Sequence, residues 1–189
     1  ITNAVNGISA YGTSAITIAN NNISNCSNSG IYCYSASPRI SYNTIENNGN
    51  FGISCNNFSS PVIFRNNITG NNVGAFFNYY SSAWLSEKPA NGSCCPGRGY
   101  NVITQNATGI IAAYGSNIFL GDRGYGGYNC VHDNIGYEIS ASYNSGITIK
   151  SENTWWNRTA PPYYNSSDFY QYLSTIDYIP AFSGPDPNG

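Results

Sequence analysis

A single histidine stands next to an aspartate in a chain that is otherwise poor in groups able to move protons. The 189 residues include nine Asp and Glu, seven Lys and Arg and one His, His132, which precedes Asp133. A histidine beside a carboxylate is a common general-base arrangement, so this pair is a catalytic candidate. The alternative is a polar turn, because no Gly-x-Ser-x-Gly sequence and no set of triad partners accompanies the pair.

Aromatic side chains could act differently, by stacking on a sugar or on a partner protein. The chain holds 17 Tyr and 3 Trp. The alternative is that tyrosine simply suits the outward positions of strands. The candidates for contacting a glycan or a partner lie in or beside two irregular stretches, and they are Tyr79, Tyr80, Trp84, Tyr125 and Tyr128.

The six cysteines fall into two groups. Cys94 and Cys95 are neighbours, and a bond between them would be strained, so we expect one of them to pair with Cys130. Cys33 and Cys55 could lie close enough for a disulfide, but parallel strands are an awkward geometry for that bond, so we expect free thiols packed inside the protein. No Cys-x-x-Cys pair occurs, so the spacing gives no zinc motif, and we expect neither a metal nor another cofactor.

The Asn-x-Ser/Thr pattern of N-glycosylation acceptors occurs repeatedly, which indicates an exported protein. Chance is the alternative in a chain this rich in Asn, Ser and Thr. With the even cysteine count, the pattern favours an extracellular or cell-surface location. The acceptor candidates are Asn22, Asn25, Asn57, Asn67, Asn91, Asn106, Asn157 and Asn165.

The composition excludes several classes of partner. Charged residues are only 8% of the chain and the formal net charge is −2, without a basic cluster, which argues against a nucleic-acid partner. No apolar run approaches the length of a membrane helix, so we expect no membrane insertion. We expect the partners to be glycans of the cell surface or extracellular space, or other copies of the chain.

A repeated phrase organises these residues. Gly-Ile openings at Gly30 and Gly52 and the Gly-Ala opening at Gly74 are evenly spaced, and Gly7-Ile8 stands about one such interval before Gly30. A period of this length predicts a solenoid, in which each repeat forms one coil of short parallel strands. Aliphatic residues recur with it, and an Asn-x-Ile phrase follows each opening.

The alternation of side chains sets which columns face inward. The inward column is Ala10, Cys33, Cys55, Phe77 and Ala112, and the outward column is Tyr11, Tyr34, Asn56, Asn78 and Ala113. Two columns of Asn are expected to hydrogen-bond from coil to coil. The first begins each Asn-x-Ile phrase (Asn21, Asn43, Asn66, Asn101, Asn129, Asn153), and the second follows the phrase (Asn25, Asn47, Asn71, Asn106, Asn134, Asn157).

The Gly-Ile, Ser-Pro (Ser37-Pro38, Ser60-Pro61) and Asn-x-Ile phrases resemble those of the right-handed parallel β-helix repeat family, which shares its architecture with the pectin lyase-like superfamily. The resemblance implies an all-β right-handed parallel β-helix of about six to seven coils. The repeats are expected over residues 1–160, and residues 161–189 form a carboxy-terminal cap of the same domain. A short helical turn is expected over Asp168 to Leu173, capped by Ser167.

Two insertions interrupt the period, at about residues 79–100 and 121–128. The openings that follow them, Gly109 and Gly136, both come later than the regular spacing requires. Insertions in solenoids form loops on one flank that often carry binding. Because these two lie in consecutive coils, we expect them to be neighbours in space.

The resemblance also implies an enzymatic alternative. Lyases of this architecture use a basic residue beside a uronate, often with calcium, and the matching candidates are Arg123 with Asp122 and Asp133. Glu138, Lys150 and Glu152 could join them if the coils align. Hydrolases need closely set carboxylic acids, yet residues 7–75 contain only Glu46.

We therefore expect a non-catalytic, glycosylated extracellular β-helix module with a structural or adhesive role, able to stack end to end into a filament. The alternative is a carbohydrate-active enzyme, a polysaccharide lyase or a relative, working at the inserted loops.

Overall fold

The computed structural model describes residues 1–12, 16–87, 99–122, 125–151, 154, 156 and 169–177, which form a solenoid of parallel strands. Each coil contains three strands, and each strand pairs with its counterparts in the coils before and after it. The strands therefore build three sheets that run along the axis. No helix occurs among these residues, so none long and apolar enough to cross a membrane is found there.

Sheet 1 contains the first strand of each coil: β1 (Asn6–Tyr11), β4 (Ser29–Tyr34), β7 (Phe51–Asn56), β10 (Val73–Phe77) and β13 (Thr108–Ala113). Sheet 2 contains β2 (Thr17–Ala19), β5 (Arg39–Ser41), β8 (Val62–Phe64), β11 (Ser82–Trp84) and β14 (Asn117–Asp122). Sheet 3 contains β3 (Asn22–Ser24), β6 (Thr44–Glu46), β9 (Asn67–Thr69), β12 (Val102–Thr104) and β16 (Cys130–His132). The short β15 (Tyr125–Gly126) pairs antiparallel with β14.

Two longer strands follow the regular coils. β17 (Ile139–Ser151) pairs with β13 at its start and with β14 at its end, so it joins sheets 1 and 2. β18 (Phe169–Asp177) pairs parallel with β17 and adds a seventh strand to sheet 1. The helical turn predicted over Asp168 to Leu173 is therefore wrong, because parallel pairing with β17 outweighs the local capping signal. Residues 178–189 lie outside the described residues.

The register confirms the predicted interior column. Ala10 pairs with Cys33, Cys33 with Cys55, Cys55 with Phe77 and Phe77 with Ala112, and all five side chains are buried. Columns of isoleucine from the other two sheets complete a continuous core. In the outward column, Tyr11 and Tyr34 are exposed as expected, whereas Ala113 is buried and that part of the prediction is wrong.

The first asparagine column is confirmed over the described coils. Asn43 donates from its main-chain N–H and from Nδ2 to Asn66 Oδ1, at 3.0 Å in both cases. Asn66 donates to Asn101 in the same way at 3.1 Å, and Asn101 donates to Asn129. Since these groups are buried, the ladder satisfies main-chain donors that water cannot reach.

The second column differs by one residue in its first two coils. The ladder runs through Cys26, Asn48, Asn71, Asn106 and Asn134, while Asn25 and Asn47 precede it in left-handed backbone conformations. The errors at Asn25 and Asn47 have one cause. In each of these coils two small or polar residues are adjacent, and only the second of them points inward. Asn153 and Asn157 lie outside the described residues.

The second ladder ends at a carboxylate. Asn134 donates from its main-chain N–H and from Nδ2 to the two carboxylate oxygens of Glu138. Glu138 occupies the position that glycine holds in earlier coils, because Gly109 N–H donates to Tyr137 O and Ile110 pairs with Ile139. The predicted opening at Gly136 is therefore wrong by two residues.

Three corners connect the strands of each coil, and each uses residues with positive φ. The first corner lies between sheets 1 and 2, the second between sheets 2 and 3, and the third leads into the next coil. The third corner holds small or polar residues, which tolerate this conformation best (Asn3, Asn25, Asn47, Gly70, Gln105, Asp133). The first and second corners instead hold several aromatic residues.

The insertions lie at the second corner of consecutive coils, as predicted, and their ends pair. Gly99 N–H donates to Gly127 O at 2.7 Å, and Tyr100 N–H donates to Tyr128 O at 3.1 Å. The first insertion is shorter than expected at its start, because Trp84 still pairs with Val62 of the preceding coil at the regular spacing. Tyr79, Tyr80 and Trp84 therefore belong to the regular coil, and the additional residues lie between Leu85 and Asn101.

Candidate functional site

The first corner of the third, fourth and fifth coils carries four exposed aromatic side chains, which we call the aromatic ridge. They are Phe58, Tyr79, Tyr80 and Tyr114, with exposed fractions of 64%, 54%, 59% and 48%. All four have positive φ, between 47° and 59°. Left-handed backbone is rare for bulky residues and costs roughly 1–2 kcal/mol each. Such strain persists only where surrounding structure enforces it, and it is enriched at functional sites.

Contacts between coils fix the rings of the ridge. Phe58 stacks on Tyr80 with centroids 5.5 Å apart and planes 11° apart. Tyr79 stacks on Tyr114 at 5.5 Å and 19°. Gly115 leaves room beneath Tyr80, since a Cβ there would lie 2.5 Å from two ring carbons. The ridge is therefore two preorganised stacked pairs of rings.

The surroundings of the ridge are polar but uncharged. The described residues of the first corner include no Asp, Glu, Lys, Arg or His. Asparagine amides flank the rings, and Asn78 Nδ2 donates to Asn56 Oδ1 at 3.4 Å. The exposed edges and outer faces of these rings can contact C–H groups, and the amides beside them can bind hydroxyl groups, which matches the chemistry of a neutral sugar.

The structure separates the five aromatic residues predicted to contact a ligand. Tyr79 and Tyr80 lie in the ridge. Trp84 lies on the outer face of sheet 2 with its ring 4.5 Å from Phe119. Tyr128 lies at the second corner, 6.0 Å from Tyr100. The four whose side chains the structure describes therefore do not form one surface, and the side chain of Tyr125 is outside the described residues.

Phe58 and Tyr114 are not among the predicted contact residues, although the repeat carries a signal for both. Phe58 and Tyr80 each follow an opening glycine by six positions, and Gly115 holds that place in the fifth coil. Tyr79 and Tyr114 each follow the opening by five. Extending the outward column through the corner would have revealed aromatic residues in three consecutive coils.

The second corner holds a different aromatic column, in which a cation stacks between rings. The Arg65 guanidinium lies 5.6 Å from the Tyr42 centroid and 4.7 Å from the Tyr100 centroid. This charge therefore interacts within the protein, where it stabilises the corner at which both insertions begin.

The catalytic candidates do not form one site among the described residues. His132 Nδ1 lies 2.9 Å from Asp133 Oδ2, and His132 is half-buried at the end of β16. Glu138 accepts from Asn134, and Lys150 Nζ lies 2.7 Å from Asp177 Oδ2. Arg123, Glu152 and the side chain of Asp122 lie outside the described residues. In the same part of the chain, no three His, Cys, Asp or Glu side chains could together hold a metal ion.

The prediction for Cys33 and Cys55 is confirmed, since both are buried free thiols on paired strands. Burial, together with the adjacent Cys33, raises the pKa of Cys55 well above its ordinary value. No disulfide joins any two of the described cysteines. Cys94 and Cys95 lie outside the described residues, so their pairing with Cys130 stays a prediction.

We expect Cys26, Cys33 and Cys55 to resist alkylation until the protein unfolds, because buried thiols are inaccessible and the Cys55 thiol stays protonated. Mass spectrometry after iodoacetamide treatment, with and without denaturant, measures this. The three residues should be labelled in denaturant only. Rapid labelling of Cys33 or Cys55 in the folded protein would contradict the interior register.

Comparison with known proteins identifies the repeat. Residues 1–88 match the family model described as a right handed beta helix region. Neither a search of curated proteins nor a search of solved structures gave a match. The matched residues cover the first coils, and the same parallel stacking continues through β17 and β18. The first 88 residues thus match right-handed β-helix repeats, and the described part of the chain folds as a parallel β-helix.

Proposed function

We propose that the chain is a non-catalytic β-helix module of the extracellular space or cell surface, which adheres to a neutral glycan through the aromatic ridge. The observation that carries this proposal is the ridge itself, two stacked pairs of exposed rings whose residues have positive φ. The coil geometry supplies a rigid support, because each ring is attached to strands paired on both sides. Exposed tyrosines serve at binding surfaces because they add contact area at low conformational cost.

The arrangement of charge also supports binding over catalysis. Arg39 pairs with Glu87 at 2.9 Å and stacks on Phe64, and Lys150 pairs with Asp177. Each of these two cations is therefore paired with a carboxylate of the protein on the outer face of sheet 2. An acidic polysaccharide would require unpaired cations along its path, whereas the described first corner has no cation. A neutral ligand fits this corner better.

The double variant Phe58→Ser/Tyr80→Ser should weaken binding to a neutral polysaccharide by about tenfold or more, since it removes one stacked pair from the ridge. Pull-down on insoluble neutral polysaccharides, followed by affinity electrophoresis on soluble ones, measures the change. Tyr170→Ser is the matched control, because Tyr170 is also exposed and contacts the ring of Tyr137 away from the ridge.

Equal binding by the double variant and the wild-type protein would remove the ridge from the proposal, and so would equal losses in the double variant and the control. Circular dichroism confirms that each variant is folded. The same polysaccharide panel, extended to uronates, tests the enzymatic alternative. Unsaturated products that disappear in His132→Ala would overturn the non-catalytic assignment in favour of a lyase.

The enzymatic alternative rests on the contact between His132 and Asp133. Both residues lie just after the second insertion, where a loop could complete a substrate cleft. His132 could accept a proton while Asp133 orients its ring. The ridge favours binding more strongly, since it brings four side chains together rather than two.

End-to-end assembly is a further proposal, with a constraint from the second ladder. In this ladder, each coil donates amide hydrogens to the next coil. The Glu138 side chain accepts at its end and has no amide hydrogen to donate. A second copy would therefore have to join through main-chain groups rather than through a continuation of this ladder. Light scattering at high concentration tests for such growth, and a strictly monomeric protein would end this proposal.

A further inference from the structure

The sequence offers eight possible N-glycosylation acceptors, and the fold sorts the five that lie in the described residues. A sugar is attached at the side-chain Nδ2, so an acceptor needs that atom in solvent. Burial and hydrogen bonding therefore decide which acceptors the folded protein can carry. Asn91, Asn157 and Asn165 lie outside the described residues.

Asn106 cannot carry a glycan in this fold. It is 0% exposed and belongs to the second ladder. Its Nδ2 donates to Thr104 O at 3.0 Å and to Asn134 Oδ1 at 2.9 Å. A sugar at this atom would break both bonds and force the coils apart.

Asn57 is a poor acceptor for a related reason. Its Nδ2 donates to Ser35 Oγ at 2.6 Å. The serine of its acceptor pattern, Ser59, is buried and donates to Asn56 O at 2.7 Å. Both groups that the modifying enzyme must recognise are thus engaged inside the first corner.

Asn22 and Asn67 have the opposite geometry. Each begins a strand of sheet 3, where residues two apart point to the same side, so the Asn and the hydroxyl residue face outward while Ile23 or Ile68 points inward. Asn22 pairs with Thr44 and Thr44 pairs with Asn67, so the two acceptors share one column. They lie two coils apart, about 10 Å.

We propose that the outer face of sheet 3 is the glycan-bearing face of this protein, with Asn22 and Asn67 as its acceptors. Asn25 is also exposed, at the adjoining third corner, and extends this face. The first corner lies between the other two sheets, so sugars on sheet 3 leave the aromatic ridge uncovered. The module then carries its glycans on sheet 3 and leaves the proposed binding surface at the first corner unglycosylated. This inference rests on the proposed export of the chain.

Secretion of the chain from a eukaryotic host, followed by enzymatic release of N-glycans in ¹⁸O water and peptide mass spectrometry, tests the proposal. Asn22 and Asn67 should carry ¹⁸O-labelled aspartate in most molecules of the folded fraction, and Asn57 and Asn106 should not. Thr69→Ala should abolish modification of Asn67 alone. Thr104→Ala is the matched control, because Thr104 pairs with Thr69 on the same face outside any acceptor pattern.

Modification of Asn106 in the folded protein would overturn the assignment. So would the absence of a glycan from Asn22 and from Asn67 alike. The result is separable from the adhesion proposal, because polysaccharide binding is measured on the same protein after glycan release. Loss of occupancy on sheet 3 would leave ridge binding intact. Failure of ridge binding would likewise leave the pattern of occupancy unchanged.

Discussion

Replacing Asn66 by alanine should lower the free energy of unfolding by about 2–4 kcal/mol, since it removes an interior rung of the first ladder. Asn66 Oδ1 accepts from the main-chain N–H of Asn43, which would be left buried without this partner. Its Nδ2 donates to Ile40 O, Phe64 O and Asn101 Oδ1, all between 3.0 and 3.1 Å. Urea unfolding followed by circular dichroism measures the loss.

The adjacent residue provides the control. Asn67 is also an asparagine, but it is exposed on the outer face of sheet 3, so Asn67→Ala should change stability by less than about 0.5 kcal/mol. Similar losses in the two variants would show that the ladder contributes nothing specific. A loss in Asn66→Ala alone assigns the effect to the buried hydrogen bonds.

Replacing Gly52 by alanine should destabilise the protein by about 3 kcal/mol or more, because the added methyl group has no space. A Cβ at this position would lie 2.6 Å from Gly74 O and 2.6 Å from Ile68 Cγ2. The carbonyl belongs to the neighbouring strand, whose distance is fixed by main-chain hydrogen bonds. The strand that contains Gly74 and the side chain of Ile68 cannot both move away unless hydrogen bonds between the strands are lost. Thermal and urea unfolding both report the change.

Gly12→Ala separates crowding from backbone strain. Gly12 has a φ of +78°, but a Cβ there would meet no atom of the described residues within 4 Å. Its replacement should therefore cost only the left-handed strain, roughly 1–2 kcal/mol. A loss in Gly12→Ala as large as that in Gly52→Ala would refute the crowding argument.

Much of the fold could be predicted from sequence because the interior of each coil uses the same residue types at the same positions. Ile31 and Ile53 recur at the same place in the period, and so do Asn43 and Asn66, since every coil needs the same interior contact and the same buried acceptor. These positions tolerate few residue types, so the period is visible in the sequence.

Two register errors arose where two nearby residues could fill one role. Asn47 and Asn48 are the same residue type, so the local sequence does not show which one joins the ladder. Pairing between coils places Asn47 in the left-handed conformation and Asn48 in the ladder. Gly136 resembled an opening glycine, but the hydrogen bond from Gly109 to Tyr137 O places Glu138 there instead. Local preference could not reveal either register.

The candidate site was only partly predictable for a different reason. Tyr79 and Tyr80 are predicted as contact residues because they lie near an irregular stretch of the sequence. Phe58 and Tyr114 belong to other coils and have no such signal beside them. Tyr79 and Tyr114 are far apart in the sequence because an insertion separates them, although their rings stack. Only the coil register shows that these rings meet.

Under the proposed function, the spacing of the aromatic ridge limits the ligands that it can bind. The rings lie beside paired strands, and strand pairing fixes the distance between successive coils at about 4.8 Å. The ring positions therefore cannot adjust to a ligand along the axis. A polymer whose own repeat matches this distance would contact rings of several coils at once, and each contact would raise its effective concentration for the next. A polymer of similar chemistry but different repeat would contact fewer rings, so the proposed site would discriminate ligands by their period.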